Sequence, residues 1–434
     1  MSVLPSPRIP APPRIPGLPD PLRRCWVPRD LDSVTTIGEE DPMAGGVHPD
    51  HAERLWRAVR RLYRTGVHPA IALCVRRNGV VVLDRAIGHA RGNGPQDGRD
   101  VAKVPATPDT PFVIFSAAKA VTAVLAHVLD ERGAFHVGDR VAEHVPEFAR
   151  NGKDAITIEH VLSHRAGVPN LPKEVLDLDN LADEELLLRV IADARPRTRP
   201  GKLLAYHAVS GGFILAEVVR RTTGKDIRTV LEEELLGPLG FRWGSYGVAP
   251  EDVDQVALSY PTGAPPLPPV STVLTRALGP HPDEVTRLSN DPRFLTGVIP
   301  AANVVTTANE LSRFFELCLR GGTLDGVTVF EPRTIRRATV ERAYRELDLT
   351  LGAPMRHGAG LMLGAQAISL FGPDTEHAFG HLGFTNVLGW ADPERDLSVG
   401  LLTSGKPIVH HGLPDLWAIT REVGRLGPKA GLPG

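Results

Sequence analysis

Ser116 and Lys119 stand three residues apart in Pro111-Phe112-Val113-Ile114-Phe115-Ser116-Ala117-Ala118-Lys119-Ala120. An apolar run brings the serine to the N-terminus of a helix that continues through Val121, Val124, Leu125, Val128 and Leu129 and stops near Gly133. Residues i and i+3 share a helical face, so the amine lies beside the hydroxyl. A serine hydroxyl is a poor nucleophile until a base takes its proton. Placement among Phe115, Ala117, Ala118 and Val121 disfavours the ammonium, lowers the lysine pKa and lets the amine act as that base. The positive end of the helix favours a serine alkoxide. The plain alternative is a polar helix cap followed by a surface lysine. Lysine is scarce here, eight of 49 basic residues, which argues against filler.

Two further segments carry groups suited to the same chemistry. In Pro200-Gly201-Lys202-Leu203-Leu204-Ala205-Tyr206-His207-Ala208, a Pro-Gly turn places Tyr206 just before a helix that starts near Val209. A phenol there can relay a proton between serine, lysine and a leaving alcohol if the fold gathers them. Packing at a helix start is the competing reading. In Phe379-Gly380-His381-Leu382-Gly383-Phe384, alternation with period two predicts a strand. Gly383 lets a ligand approach the backbone closely, and free N–H groups on an edge strand can supply half of an oxyanion hole. His381 has no neighbouring ligand set for a metal; it is either structural or substrate-contacting.

The elements that must position these groups follow the chain in three blocks. Residues 1–45 are Pro-rich, lack periodicity and read as a tail. Residues 46–425 form the catalytic domain, and 426–434 a C-terminal tail. Within the domain, His51–Tyr63 has helical spacing, and Ala70–Val75 and Val80–Ile87 are apolar runs around Asn78-Gly79, a hairpin signal. Helical patterns then dominate: Ile158–Ser163, Asp183–Ala194, Val209–Thr222, Ile227–Leu236 and Asn309–Arg320. Tyr260–Pro300, rich in proline, reads as a long loop of the kind that forms lids. Strand patterns return at Leu361–Leu363, Phe379–Leu382, Val387–Ala391 and Leu397–Leu402, with a closing helix at Leu413–Val423. The fold class is therefore α/β (α+β): an antiparallel sheet flanked by helices and built from both chain ends (about 46–115 and 340–425), with a helical part inserted at about 116–339.

The 434 residues can bury a large core, with 42% hydrophobic and 23% charged side chains. A net charge of −2 gives no reason to expect nucleic acid as a partner. Cys25, Cys74 and Cys318 are too far apart for a disulfide framework or zinc spacing; Cys74 and Cys318 read as buried thiols and Cys25 as inert in a polar segment. Neither a secretory h-region nor an apolar run long enough to span a bilayer is visible, so the expected location is the cytoplasm. Peripheral lipid contact and oligomeric state are left open.

Taken in order, the segments resemble the serine β-lactamase and penicillin-binding-protein superfamily. Ser116-x-x-Lys119 resembles its first motif, Tyr206-x-Ala208 its Tyr-x-Asn motif, and His381-x-Gly383 its Lys-Thr-Gly or His-x-Gly motif. Val161-Leu162-Ser163-His164-Arg165-Ala166-Gly167-Val168-Pro169 is similar to the family's LLSHTSGLP segment, and Gly237-Pro238-Leu239-Gly240-Phe241 to its PLGM segment. The resemblance covers roughly residues 50–425. It implies an active site between sheet and helical part: Ser116 as acylated nucleophile, Lys119 as base, Tyr206 as proton shuttle. It also implies an oxyanion hole from the N–H groups of Ser116 and Phe384, with His381 and Gly383 beside the substrate and no metal or organic cofactor. Ala208 departs from the family pattern. Alanine cannot hydrogen-bond a substrate amide, which shifts the expectation from β-lactams and peptidoglycan towards the esterase/lipase branch. Pro300-Ala301-Ala302-Asn303 also resembles that branch. The leading expectation is a serine ester hydrolase acting on a small-molecule ester. The alternatives are a β-lactamase or D,D-peptidase, an acyltransferase, and a catalytically silent scaffold. Gly-x-Ser-x-Gly, His-Glu-x-x-His and a phosphate loop are all missing from the sequence.

Overall fold

A computed structural model describes residues 14, 18, 20–172, 175–408 and 410–430. Most of the first twenty residues of the Pro-rich stretch, and 431–434 of the C-terminal tail, lie outside the described residues. The Asn78-Gly79 signal is realised as a hairpin between strands Ala70–Arg77 and Val80–Arg91. Asn78 and Gly79 both take positive φ (53° and 80°), the mirror-image turn whose twist suits two strands.

The hairpin belongs to a 10-stranded antiparallel sheet. Its order is Thr35–Ile37, Val80–Arg91, Ala70–Arg77, Leu397–Thr403, Val387–Asp392, Phe379–Gly383, Met362–Leu363, Ala353–His357 and Ala343–Asp348, with Val104–Pro105 also paired to Val80–Arg91. The seam between Ala70–Arg77 and Leu397–Thr403 joins the two ends of the chain, with Ile71 opposite Thr403 and Arg77 opposite Leu397. Helices occupy both faces. One face sends Ile71, Leu73, Val75, Leu388, Trp390, Val399 and Leu401 into a core shared with helices Pro49–Arg64 and Leu413–Val423.

The opposite face carries a row of small residues. Gly389 pairs with Gly400, and Gly400 with Cys74. Helix Ala308–Leu319 lies directly on this row: a Cβ on Gly400 would come 2.3 Å from the Ala308 carbonyl oxygen, and one on Gly389 2.4 Å from the Phe315 ring. The same row continues to His381, the partner of Gly389, which places the histidine on the helical side of the sheet. Helix Ala118–Glu131 is buried on every side from Ala118 to Asp130. It runs between the sheet and the helices Ile158–Leu162, Glu184–Asp193 and Ser210–Thr223 through one continuous apolar core.

Two features differ from the expectation. The stretch Tyr260–Pro300 is not an open loop: it folds into helices Val270–Leu278, Pro282–Leu288 and Pro292–Thr296. Pro282 and Pro292 stand in the first turn, where a fixed φ and a missing N–H suit a helix, and His281 and Asp291 cap them. Strands Ala343–Asp348 and Ala353–His357 are also present, with exposed side chains that hide their pattern in the sequence. Cys25, Cys74 and Cys318 are all buried free thiols, so Cys25 is shielded by burial and not merely by its polar neighbours. Among the described residues no helix is long and apolar enough to cross a membrane.

The close approach of helix and sheet gives a direct test. Gly400→Val would wedge the Ala308 carbonyl away and is expected to destabilise the protein by about 3 kcal/mol, measured by urea unfolding.

Candidate active site

Ser116 is delivered by a small three-stranded sheet of Phe112–Val113, Val304–Thr306 and Ser245–Tyr246. Beyond it the Ile114 N–H donates to the Val304 carbonyl at 2.9 Å. Phe115 then adopts φ +48°, a left-handed conformation that costs a bulky residue on the order of 1 kcal/mol or more. The single turn Phe115–Ala117 follows and passes into helix Ala118–Glu131. The serine thus sits at the entrance of the helix, as the sequence predicts.

Lys119 Nζ lies 3.2 Å from Ser116 Oγ, 2.7 Å from the Ala208 carbonyl oxygen and 3.0 Å from that of Ala301. It also lies 4.9 Å from the Tyr206 ring centroid. Burial lowers the lysine pKa from its ordinary value to about 7. A neutral amine has two N–H donors and one lone pair. With the two carbonyls taking the N–H groups, the lone pair is left for the serine O–H. The Ala301 carbonyl is held in place from behind. Thr122 donates to the neighbouring Pro300 carbonyl at 2.7 Å and shares a 2.7 Å hydrogen bond with Tyr246. Asn303 is wholly engaged in this wall: its oxygen accepts from Ile299 N–H at 2.8 Å and its amide donates to Phe294 and Gly297.

The Tyr206 phenol is turned toward Ser116, and burial pushes its pKa upward. Its backbone is fixed by Asp348, whose Oδ1 accepts from the N–H groups of Tyr206, Thr350 and Leu351 at 3.1, 2.8 and 2.9 Å. His164 packs on the Tyr206 ring with centroids 4.6 Å apart. Its Nδ1 accepts the His207 N–H at 3.2 Å, so that nitrogen carries no proton and the 3.3 Å contact to His207 Nδ1 requires His207 to donate. His357 meets His164 edge-on at 5.3 Å, and His381 lies 6.3 Å from the Tyr206 ring. The His381 Nδ1 is 2.8 Å from the Leu382 carbonyl. Two buried imidazoles, His164 and His381, therefore flank the Tyr206 ring, and His207 and His357 pack against His164. Among the described residues they do not gather into a group of three or more metal donors.

Gly383 is needed for a contact within the chain: a Cβ there would fall 2.1 Å from the Ile114 carbonyl oxygen. The strand can dock on the segment that carries Ser116 only because that Cβ is missing. On its outer side Phe379–Gly383 is paired through Phe379 and Gly380 with Met362–Leu363, so the part from His381 onward forms a local edge. Phe384 follows and packs edge-on against Phe115, centroids 5.7 Å apart. Ser116, Lys119, Tyr206 and His381 are thus gathered in one place, with Gly383 and Phe384 alongside.

An apolar cavity opens at Ser116, lined by Phe115, Phe384, Leu178, Leu288 and Phe294 among others, with about 670 Å³ of empty space counted to its mouth. Ala208 lines it too. Sequence reasoning missed Asp348, Thr122, Tyr246 and the imidazoles of His164, His207 and His357. It also missed Lys406, another buried lysine, whose Nζ lies 4.8 Å from the Phe115 ring centroid and whose pKa burial lowers to about 7. His164 and His207 fall inside segments already singled out, and Lys406 shares the scarcity that marked Lys119; those were the available signals.

The imidazoles bear on stability. Burial depresses the pKa of His207 and His381 to about 3 and of His357 to about 4, and lowers that of His164 as well. Below the ordinary histidine value of about 6.5 the unfolded chain binds protons that the folded one does not. Stability therefore falls as pH drops below that value, by up to about 1.4 kcal/mol per pH unit for each histidine. The expected outcome is a melting temperature that declines steeply from pH 6.5 to 4, and less steeply in His357→Asn, measured by calorimetry.

The model of the Beta-lactamase family matches residues 57–421. Esterase/beta-lactamase LipL of Mycobacterium tuberculosis is 29% identical over 355 residues, 76% of this chain and 78% of its own. A crystal structure titled as a family VIII carboxylesterase aligns with TM-score 0.75 at 26% identity, over 88% of this chain and 98% of the other. A penicillin-binding-protein homologue from Caulobacter crescentus aligns with TM-score 0.75 at 29% identity, over 88% of this chain and 98% of the other. The family match spans both halves of the sheet and the helices between them, together with Ser116, Lys119, Tyr206 and His381, and by it this chain belongs to the Beta-lactamase family.

Proposed function

We propose that the protein is a serine carboxylic-ester hydrolase. The observation that carries this reading is the Lys119 amine, 3.2 Å from the Ser116 hydroxyl, buried to a pKa of about 7 and with its N–H groups directed at two carbonyls. Lys119 takes the serine proton as Ser116 Oγ bonds to the ester carbonyl carbon. The Ser116 and Phe384 N–H groups receive the oxyanion. The carbon–oxygen bond to the alcohol breaks, and the alkoxide takes a proton relayed through Tyr206. Water then attacks the acyl-enzyme: its hydroxyl joins the acyl carbon as the carboxylic acid and its proton returns to Ser116. His381 and Gly383 shape the strand edge along which the substrate lies.

The relatives named as esterases support the ester reading, and so does Ala208, whose methyl offers no partner to the side-chain amide of a β-lactam. The mycobacterial relative is named a β-lactamase as well as an esterase, so a second reading, β-lactam hydrolysis by the same acyl-enzyme, is tested alongside.

The test compares p-nitrophenyl acetate and a chromogenic cephalosporin. Ester turnover should exceed cephalosporin turnover, fall by about 10⁴-fold or more in Ser116→Ala, and fall by about 10²–10⁴-fold in Tyr206→Phe. Preferential cephalosporin cleavage would replace the ester reading with the β-lactam one. Because the active base is the neutral amine, kcat/KM should rise with pH, bend near 7 and level off above it. A profile flat from pH 5 to 9 would rule Lys119 out as the base.

A further inference from the structure

A second apolar cavity lies behind the one at Ser116. It is lined by Phe148, Leu187, Ile191, Phe213 and Ala216, with Glu184, Glu217, Arg220 and Asp226 at polar positions. The two cavities share one wall residue, Leu181. The rest of the partition is the extended segment Val298-Ile299-Pro300: Ile299 lines the cavity at Ser116, while Val298 and Pro300 line the second. That segment is stapled by the Asn303 oxygen on the Ile299 N–H at 2.8 Å and by Thr122 on the Pro300 carbonyl at 2.7 Å. Leu181, in contrast, is a half-buried side chain on the short turn Asn180–Ala182, and a change of rotamer is enough to move it.

Resting on the ester-hydrolase reading, we propose that the acyl chain of the substrate passes Leu181 and extends into the second cavity, so that the preferred substrates are esters of medium- and long-chain fatty acids. The lining supports this occupant. The cavity at Ser116 offers the acyl side almost nothing but leucine, phenylalanine, valine and proline side chains, which reward each buried methylene by roughly fourfold in binding. A two-carbon acyl group leaves nearly all of that surface uncovered. A longer chain covers more of it and continues where Leu181 yields.

The experiment measures kcat/KM for p-nitrophenyl acetate, octanoate and laurate in the wild type and in two variants that fill the second cavity from opposite sides, Leu181→Trp and Ala216→Phe. Circular dichroism checks that each variant is folded. In parallel, calorimetry measures binding of free laurate to Ser116→Ala with and without Ala216→Phe. The wild type should prefer octanoate to acetate by about tenfold or more. The laurate-to-acetate ratio should fall by about tenfold or more in both variants, and Ala216→Phe should weaken laurate binding by a similar factor. If acetate is cleaved but the wild type shows no preference for longer chains, or both variants leave the ratio unchanged, the tunnel is overturned while the ester-hydrolase reading stands. If no ester is cleaved but laurate binds and Ala216→Phe abolishes binding, the reading of the reaction fails and the chain-binding cavity stands. Absence of both turnover and laurate binding overturns both.

Discussion

Everything at this site depends on keeping one amine uncharged inside the protein. Lys119 arrives on a helix buried all round, and its end is met by two backbone carbonyls from different parts of the chain, Ala208 and Ala301. Carbonyls favour the ammonium, while burial disfavours it and lowers the pKa to about 7. The structure around the amine is arranged to hold that balance. Thr122, Tyr246 and Asn303 fix the Pro300–Ala301 segment, and Asp348 fixes the stretch that carries Tyr206 and Ala208. These groups do not touch the serine, yet they set where the hydrogen-bond acceptors around Lys119 stand. A shift of a few tenths of an ångström in either carbonyl would alter which form of the amine the site prefers.

The phenol is held by a different means. Tyr206 packs against the imidazoles of His164 and His381, whose burial keeps them neutral, and the ionisable groups beside it are Lys119 and Asp348. The same burial makes the site acid-sensitive: stability and proton handling draw on one set of desolvated side chains.

How much of this was legible in the sequence depends on the range of the interaction. Ser116 and Lys119 could be read directly, since three residues along a helix fix their geometry. The Asn78-Gly79 hairpin was equally local. Tyr206 and His381 are remote in sequence, and it was the resemblance of their segments that connected them. The Gly383 reading pointed to a close approach, but the approaching group is the Ile114 carbonyl, a partner that only the tertiary fold can supply. The helices within 260–300 went unread because proline was taken as a breaker, though Pro282 and Pro292 sit where proline starts a helix. Asp348 and the outer strands escaped because their side chains alternate without a clear apolar face.

The seam between Ala70–Arg77 and Leu397–Thr403 has a further consequence. During synthesis the N-terminal hairpin emerges early, with one edge unpaired, and its partner strand leaves the ribosome only when nearly the whole chain has been made. An exposed apolar edge is a template for association with other chains, and closure over so long a separation is slow. Ser116 and Lys119, the proposed nucleophile and base, lie three residues apart at the start of one helix and can meet at once. The strand of His381 and Gly383 arrives far later. The proposed catalytic pair is thus present long before the pocket that gives it work, and the chain stays exposed to aggregation for most of its synthesis.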